Sequence, residues 1–230
     1  MKMSIDKNAM CIYVKRQLDF YLPDEREADM DILEAYVPMA LERCEKCFQH
    51  ILLPGYREET GEAVFSHLHM DQWGTFLYFL GNTIYKEEWE QKMLCDKLLN
   101  LNRILNGFFL SYKCPMPEVF CLAHPVGSIV GNANYSDGLV INQNVTINTR
   151  MDGNGRLKLK IGRGCYLGAG AKIIGSEEIG DRVSVGADVL IYNRKIENDQ
   201  VCIKGESCEL IVRSRIKEKC KASSFFDLEF

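Results

Sequence analysis

The chain has 230 residues, 47% of them hydrophobic and 26% charged, with a formal net charge of −4. That length supports one or two domains with a substantial core, and the mild acidity argues against a nucleic-acid partner. The densest basic stretch, Arg213 to Lys221, is interrupted by Glu218. No apolar run reaches the ~18 residues of a membrane span, and the first residues lack the basic, apolar, small-residue order of a signal peptide, so a cytoplasmic protein without membrane insertion is expected.

Up to about Cys114 the pattern is helical. From Asp29 to Leu53 a stripe of apolar residues (Ile32, Leu33, Tyr36, Leu41, Cys44, Phe48, Ile51, Leu52) predicts a helix, with Pro38 as a kink or break and Pro54-Gly55 as its stop. Further helices are predicted over 70–85 and 86–107. Phe76-Leu77-Tyr78-Phe79-Leu80 is apolar nearly all round, which buries that helix in its domain or in a subunit contact. Cys114-Pro115-Met116-Pro117 ends the helical region.

Beyond it the period changes. Ile161, Leu167, Ile173, Ile179, Val185 and Ile191 recur at an interval of six, which matches neither a helix nor a free strand and is a repeat of parallel β-helices. Gly162, Gly168, Gly180 and Gly186 follow four of them and turn the corners. Cys165, Ala171, Val183 and Val189, four residues on, fill the interior, while Glu177 and Lys195 break that inner position. The same phase recurs upstream at Ile129, Tyr135, Ile141 and Ile147, with Ala133, Leu139 and Val145. Between 147 and 161 it slips by two residues. The segment Asn148 to Lys160, with Asp152-Gly153-Asn154-Gly155, reads as an extruded loop, where binding and catalysis concentrate on rigid scaffolds.

The tail ends in Phe225-Phe226-Asp227-Leu228-Glu229-Phe230, whose aromatics want a surface: either a docked C-terminus or a subunit contact. Ten cysteines lie scattered among apolar neighbours and read as reduced core residues. Cys44 and Cys47 sit in a helical pattern without a second pair at zinc-site spacing, so no metal is assigned. His67 and His69 lie beside a helix start and His50 at a helix end. His124 opens the first coil in His124-Pro125-Val126-Gly127-Ser128-Ile129-Val130-Gly131. An imidazole there is matched to taking a proton from a hydroxyl at neutral pH, and glycines three and seven residues on leave room for a ligand. A structural histidine before a proline is the other reading.

The segment His124–Gly131 with Leu122 before it, then Gln143-Asn144-Val145-Thr146-Ile147, then Leu167-Gly168-Ala169-Gly170-Ala171-Lys172-Ile173-Ile174-Gly175, resembles the serine O-acetyltransferase group of left-handed β-helix hexapeptide transferases. The likeness is greatest to the serine-acetyltransferase-like enzymes found with bacterial surface-polysaccharide genes. Those also carry a stretch similar to His69-Met70-Asp71-Gln72-Trp73 and Phe76–Asn82, so the resemblance covers roughly residues 65–212.

The resemblance implies an α+β chain. A helical N-terminal domain (1–115) precedes a left-handed parallel β-helix (116–212) and a C-terminal tail (213–230). It implies a homotrimer with acetyl-CoA in the groove between neighbours, which the helical domain can join into a dimer of trimers. The left-handed connections are an exception to the usual crossover rule. His124 matches the catalytic histidine. Gly168, Ala169, Gly170, Lys172, Gly186, Ala187 and Thr149 fall on the cofactor path, and Ala123, Gln143 and Asn144 on the acceptor side. No metal is implied.

Four features depart from the pattern. Phe109 stands where an acidic residue orients the imidazole, and Ala123 where an acidic residue holds the serine amino group. Asn148-Thr149 replaces a glycine pair on the cofactor path, and the loop 154–161 lacks a second histidine. Glu118 and Asp137 are the nearest acidic candidates to stand in as the imidazole's partner. The expected function is therefore an acetyl-CoA-dependent O-acetyltransferase with His124 as base, acting on a sugar or other small hydroxyl compound. The alternatives are a β-helix trimer kept as a scaffold or regulatory subunit, and a true serine O-acetyltransferase of cysteine biosynthesis.

Overall fold

The computed structural model describes residues 1–25 and 29–230. It divides into two compact units, one of residues 1–49 and 54–113, the other of residues 50–53 and 114–230.

The first unit is helical. Helix α1 (Lys7–Tyr21) starts at Asp6, whose carboxylate accepts from the Ala9 amide, and α2 (Met30–Phe48) starts at Asp29 in the same way. Helix α1 was not resolved as a separate element by the sequence pattern. Helix α2 stops at Phe48 rather than at Leu53, and carries Pro38 inside it. Helix α3 (Met70–Glu87) is buried from Gln72 to Ile84, as its all-round apolar composition requires. The helix predicted over 86–107 forms as α4 (Lys92–Asn106) only after a short 3₁₀ turn at Trp89–Gln91, and ends on Gly107 in the left-handed conformation. Burial pushes the Cys44 thiol well above its ordinary pKa, and both Cys44 and Cys47 are fully inside the helical core. That placement suits packing and not thiolate chemistry.

The second unit is a parallel β-helix with three faces. The first face stacks Phe120–Leu122, Leu139–Ile141, Tyr166–Leu167, Ser184–Val185 and Gln200–Lys204, and the antiparallel strand Leu210–Ser214 closes it. The second stacks Ile129–Val130, Thr146–Ile147, Lys172–Ile174 and Leu190–Tyr192. The third pairs Asn134–Tyr135 with Lys160–Ile161 and continues through single bridges at Ile179 and Ile196. Register places Leu122, Ile141, Leu167, Val185 and Cys202 in one interior column and Val130, Ile147, Ile173 and Ile191 in the next, all 0–2% exposed. Each such side chain contributes about 1.5–3 kcal/mol of burial, so the column, not the short strands, holds the coils together.

One interior residue differs from the sequence pattern. Val130 pairs with Ile147 and is buried, whereas Ile129 points out and is 47% exposed. The step from Leu122 to Val130 is eight residues where that from Ile141 to Ile147 is six, so the turn at His124–Gly127 holds two extra residues and moves the phase by one at Ile129. The segment after Ile147 leaves the stack as a hairpin. Met151 bridges Leu157, and the Asp152 carboxylate accepts from the amides of Asn154 and Arg156. The tail folds back within this unit. Phe226 is buried and bridges Ile51, and the Phe230 ring lies under the Arg163 guanidinium, 5.7 Å away.

Candidate functional site

The corner between the first and second faces repeats one conformation four times. Gly127, Asn144, Gly170 and Asp188 all have positive φ, between 55° and 78°. The Asn144 amide donates to the Val126 carbonyl, Gly170 to Gln143 and Asp188 to Ala169, at 2.8–2.9 Å. Val126, Gln143, Ala169 and Ala187 are therefore stacked one above another, a coil apart. Gly170 takes this conformation without the strain that Asn144 and Asp188 accept. Besides its φ of 72°, a Cβ would come within 2.2 Å of the Asp188 carboxylate.

His124 lies two residues before Val126, the first member of this column. The histidine too adopts a positive φ (53°), which throws the chain into the wider turn, and the Val126 amide closes that turn on the His124 carbonyl. The residue is exposed while Ala123 and Pro125 on either side are buried. Ser128 fixes the turn to the coil below: its fully buried hydroxyl donates to the Asn142 carbonyl (2.8 Å) and accepts from the Val145 amide (3.0 Å). The sequence reading passed over Ser128. Its signal is position, since it stands in the register of Val145, where every other coil has an apolar residue.

The structure thus brings His124, Gln143, Asn144, Gly168, Ala169, Gly170, Gly186 and Ala187 to one corner. A Cβ on Gly168 would meet the Val185 carbonyl at 2.9 Å, so the coils here approach as closely as backbones allow. Lys172 projects from the second face nearby, its ammonium donating to the Gly170 carbonyl. Ala123 is 7% exposed and its amide is bonded to the Ile141 carbonyl.

Thr149 lies elsewhere. Its hydroxyl accepts from the Asn132 amide at 2.7 Å, and Asn148 accepts from the Gly175 amide, at the corner between the second and third faces. The width of the second face, on the order of 15 Å at 3.3 Å per residue, separates them from Ala169. Asp137 is likewise distant from His124. Its carboxylate caps the Val119 amide at the corner between the third and first faces, and exposed Glu118 sits next to that corner, a strand's length from the histidine. Phe109 belongs to the helical unit, with the Arg103 guanidinium 5.6 Å from its ring.

No family model matches the chain. It is 26% identical over 121 residues to the serine acetyltransferase of Synechococcus elongatus, an alignment covering 52% of this chain and 49% of that one. The chain therefore spans about half the length of that curated relative. Among solved structures it is similar to the serine acetyltransferase of Neisseria gonorrhoeae (TM-score 0.69, 16% identity, 98% of this chain and 86% of that one). It is also similar to that of Brucella abortus (TM-score 0.66, 19% identity, 92% and 85%). A serine acetyltransferase in complex with CoA is similar over 79% of this chain and 75% of that one (TM-score 0.57, 18% identity). These likenesses establish the fold, a helical domain followed by a left-handed β-helix.

Proposed function

We propose that this chain is an acetyl-CoA-dependent O-acetyltransferase of the serine-acetyltransferase type. The observation that carries the reading is one corner of the stack, where exposed His124 sits in the turn of the first coil and the column Val126, Gln143, Ala169 and Ala187 ends in two methyl groups. A thioester-bearing chain laid along that corner meets backbone and methyl groups at Ala169 and Ala187, and its carbonyl end lies toward the histidine of the first coil. The His124 imidazole takes the proton of the acceptor hydroxyl as the oxygen attacks the thioester carbon. The new C–O bond forms, the C–S bond breaks, and the leaving thiolate takes up the proton from the imidazolium. The CoA complex among the similar structures supports CoA as the carrier.

Serine is the acceptor favoured by the comparisons, since the sequence relative and the structural neighbours named above are all serine acetyltransferases. A neutral hydroxyl compound such as a sugar is the second reading. It rests on Ala123, a buried methyl where the resemblance implies a carboxylate for the ammonium group. Assembly as a trimer is supported by the outer surface of the second face. There Ile129 at one end and Leu190 and Tyr192 at the other are 47–64% exposed, with Thr146 and Lys172 between Ile129 and Leu190, and a second copy would cover the apolar ends.

The test is CoA thiol release from acetyl-CoA with L-serine and with a panel of sugars. Turnover with serine and a fall of about 10²–10⁴-fold in His124→Ala are expected. Turnover unchanged in that variant would remove His124 as the base. A trimer that transfers acetyl to nothing in the panel would turn the reading to a scaffold.

A further inference from the structure

The corner between the third and first faces is a column too. Gly138, Gly164, Arg182 and Asp199 have φ between 57° and 78°, and the amides of Gly164, Arg182 and Asp199 donate to the carbonyls of Asp137, Arg163 and Asp181, each one coil away. The tail is attached to this column at two levels. Its Phe230 ring rests on the two glycines, where a Cβ would come within 2.2 Å at Gly138 and 2.8 Å at Gly164. Two coils beyond Gly164, Arg215 donates to the Asp199 carboxylate and to the carbonyls of Lys217 and Glu218, which clamps the bend.

A cavity of about 560 Å³ is bounded by both attachments, since Phe230 and Arg215 line it. Arg182 lines it as well and donates to Asp199 at 2.6 and 2.8 Å, so two guanidinium charges share one carboxylate. The Nε–H of Arg215 is buried and has no acceptor among the described residues. Buried donors are nearly always paired, and this one is left for an acceptor from outside the chain. Glu218 and Glu229 bring negative charge to the same cavity. Both are exposed and form no ion pair among the described residues. The other charged groups lining it are exposed Lys219 and Asp227, which bonds His50 at 2.9 Å. Leu52, Phe226 and Leu228 supply an apolar wall.

We propose that this cavity binds a free amino acid with an apolar side chain, its carboxylate on Arg215 and Arg182, its ammonium on Glu218 and Glu229, and its side chain against Leu52, Phe226 and Leu228. The divided charge selects a zwitterion. A simple anion would gain the guanidinium forks and be repelled by the glutamates, and a simple amine would meet the reverse, whereas a carboxylate and an ammonium on one carbon satisfy both. The cavity stands at the opposite side of the first face from the His124 corner, a face's width of on the order of 15 Å. Its ligand is therefore an effector and not a reactant at that histidine, and the inference does not depend on the acyltransferase reading. Arg182 belongs to the stack, and Leu228 and Glu229 to the tail. A ligand that touches both binds only the docked tail and so stabilises the docking.

The experiment measures Kd by calorimetry on the full chain for L-leucine, for 4-methylpentanoate, which lacks the ammonium, and for 3-methylbutylamine, which lacks the carboxylate. Leucine should bind at least about tenfold more tightly than either, the loss expected when a charged hydrogen-bonding partner is missing. Glu218→Gln/Glu229→Gln, two exposed sites that leave the Arg215–Asp199 clamp intact, should weaken leucine by about two- to thirtyfold and leave 4-methylpentanoate no weaker. Hydrogen exchange gives a second readout: saturating leucine should slow the Asp227 amide, bonded to the His50 carbonyl at 3.1 Å, and leave the Lys172 amide unchanged. No heat with millimolar leucine would overturn the inference. So would 4-methylpentanoate binding as tightly as leucine, or leucine binding the glutamate variant with wild-type affinity, which would place it elsewhere on the molecule.

Discussion

Replacing Ser128 by alanine tests whether the turn that carries His124 is held by one hydroxyl. The side chain is fully buried, donates to the Asn142 carbonyl and accepts from the Val145 amide. Alanine removes both partners without opening a path for water. An orphaned buried N–H costs about 1–3 kcal/mol, and a carbonyl with a second lone pair somewhat less, so the local loss is about 2–4 kcal/mol. Since 1.4 kcal/mol is a factor of ten, exchange of the Val145 amide should quicken by roughly thirtyfold to several hundredfold. The Lys172 amide, bonded to the Val189 carbonyl at 2.8 Å further down the stack, serves as the reference and should change far less. Hydrogen exchange read by NMR resolves the two. Equal protection of Val145 in wild type and variant would refute the reasoning, because the hydroxyl could then not be what ties the His124 turn to the coil below.

Two further outcomes follow from buried and paired groups. Hydrogen bonds from Arg182 and then from Arg215 hold the Asp199 carboxyl well below the usual carboxylate range, so its contribution to stability is complete above about pH 4 and is lost as pH falls through the lowered folded value. The gap in thermal midpoint between wild type and Asp199→Asn should be flat from pH 7 to 5 and narrow below about pH 4. A gap that closes between pH 7 and 5 would exclude this pair as its source. Of the ten cysteines only Cys208 is exposed, and burial raises the thiols of Cys95, Cys114 and Cys165 to about 12, so native protein should show one fast thiol with a disulfide reagent and ten in denaturant. Several fast thiols in the native state would contradict the packing of both units.

Much of the second unit was legible because its period is its structure. Every interior residue read at the six-residue interval from Ile141 onward is buried, and the slip between Ile147 and Ile161 is the hairpin at Met151–Leu157. The first coil was misread at Ile129 for a local reason. Two adjacent β-branched residues, Ile129 and Val130, look alike to a hydrophobic pattern, and only the count of residues in the His124 turn decides which faces in. The pair Arg182–Asp199 could be found only after the fold: seventeen residues apart is remote in sequence but one coil apart in space. The same arithmetic disqualifies Asp137, thirteen residues from His124, because it falls on a different corner of the same coil. The end of the third predicted helix at Gly107 was legible, whereas its start was not, because a 3₁₀ turn at Trp89–Gln91 precedes Lys92.

The two sides of the site differ in how they are written into the chain, and this bears on which conclusions survive divergence from relatives at 16–26% identity. The donor side is a matter of backbone. The corner at Gly168-Ala169-Gly170 and Gly186-Ala187 needs only that side chains be small and that φ be positive where the coil turns, conditions that a repeat imposes on itself in every coil. On the proposed reading the acceptor side is written in side chains, at Ala123 and at whatever orients His124. There single substitutions change the chemistry without disturbing the stack. A carboxylate placed at Ala123 would be buried at 7% exposure beside the exposed histidine, and would stay charged only against a cation such as an amino group. With alanine in that position the site imposes no such charge. On the proposed reading the donor corner is therefore the part least open to change by single substitutions, and turnover with L-serine against the sugar panel decides whether Ala123 has changed the acceptor.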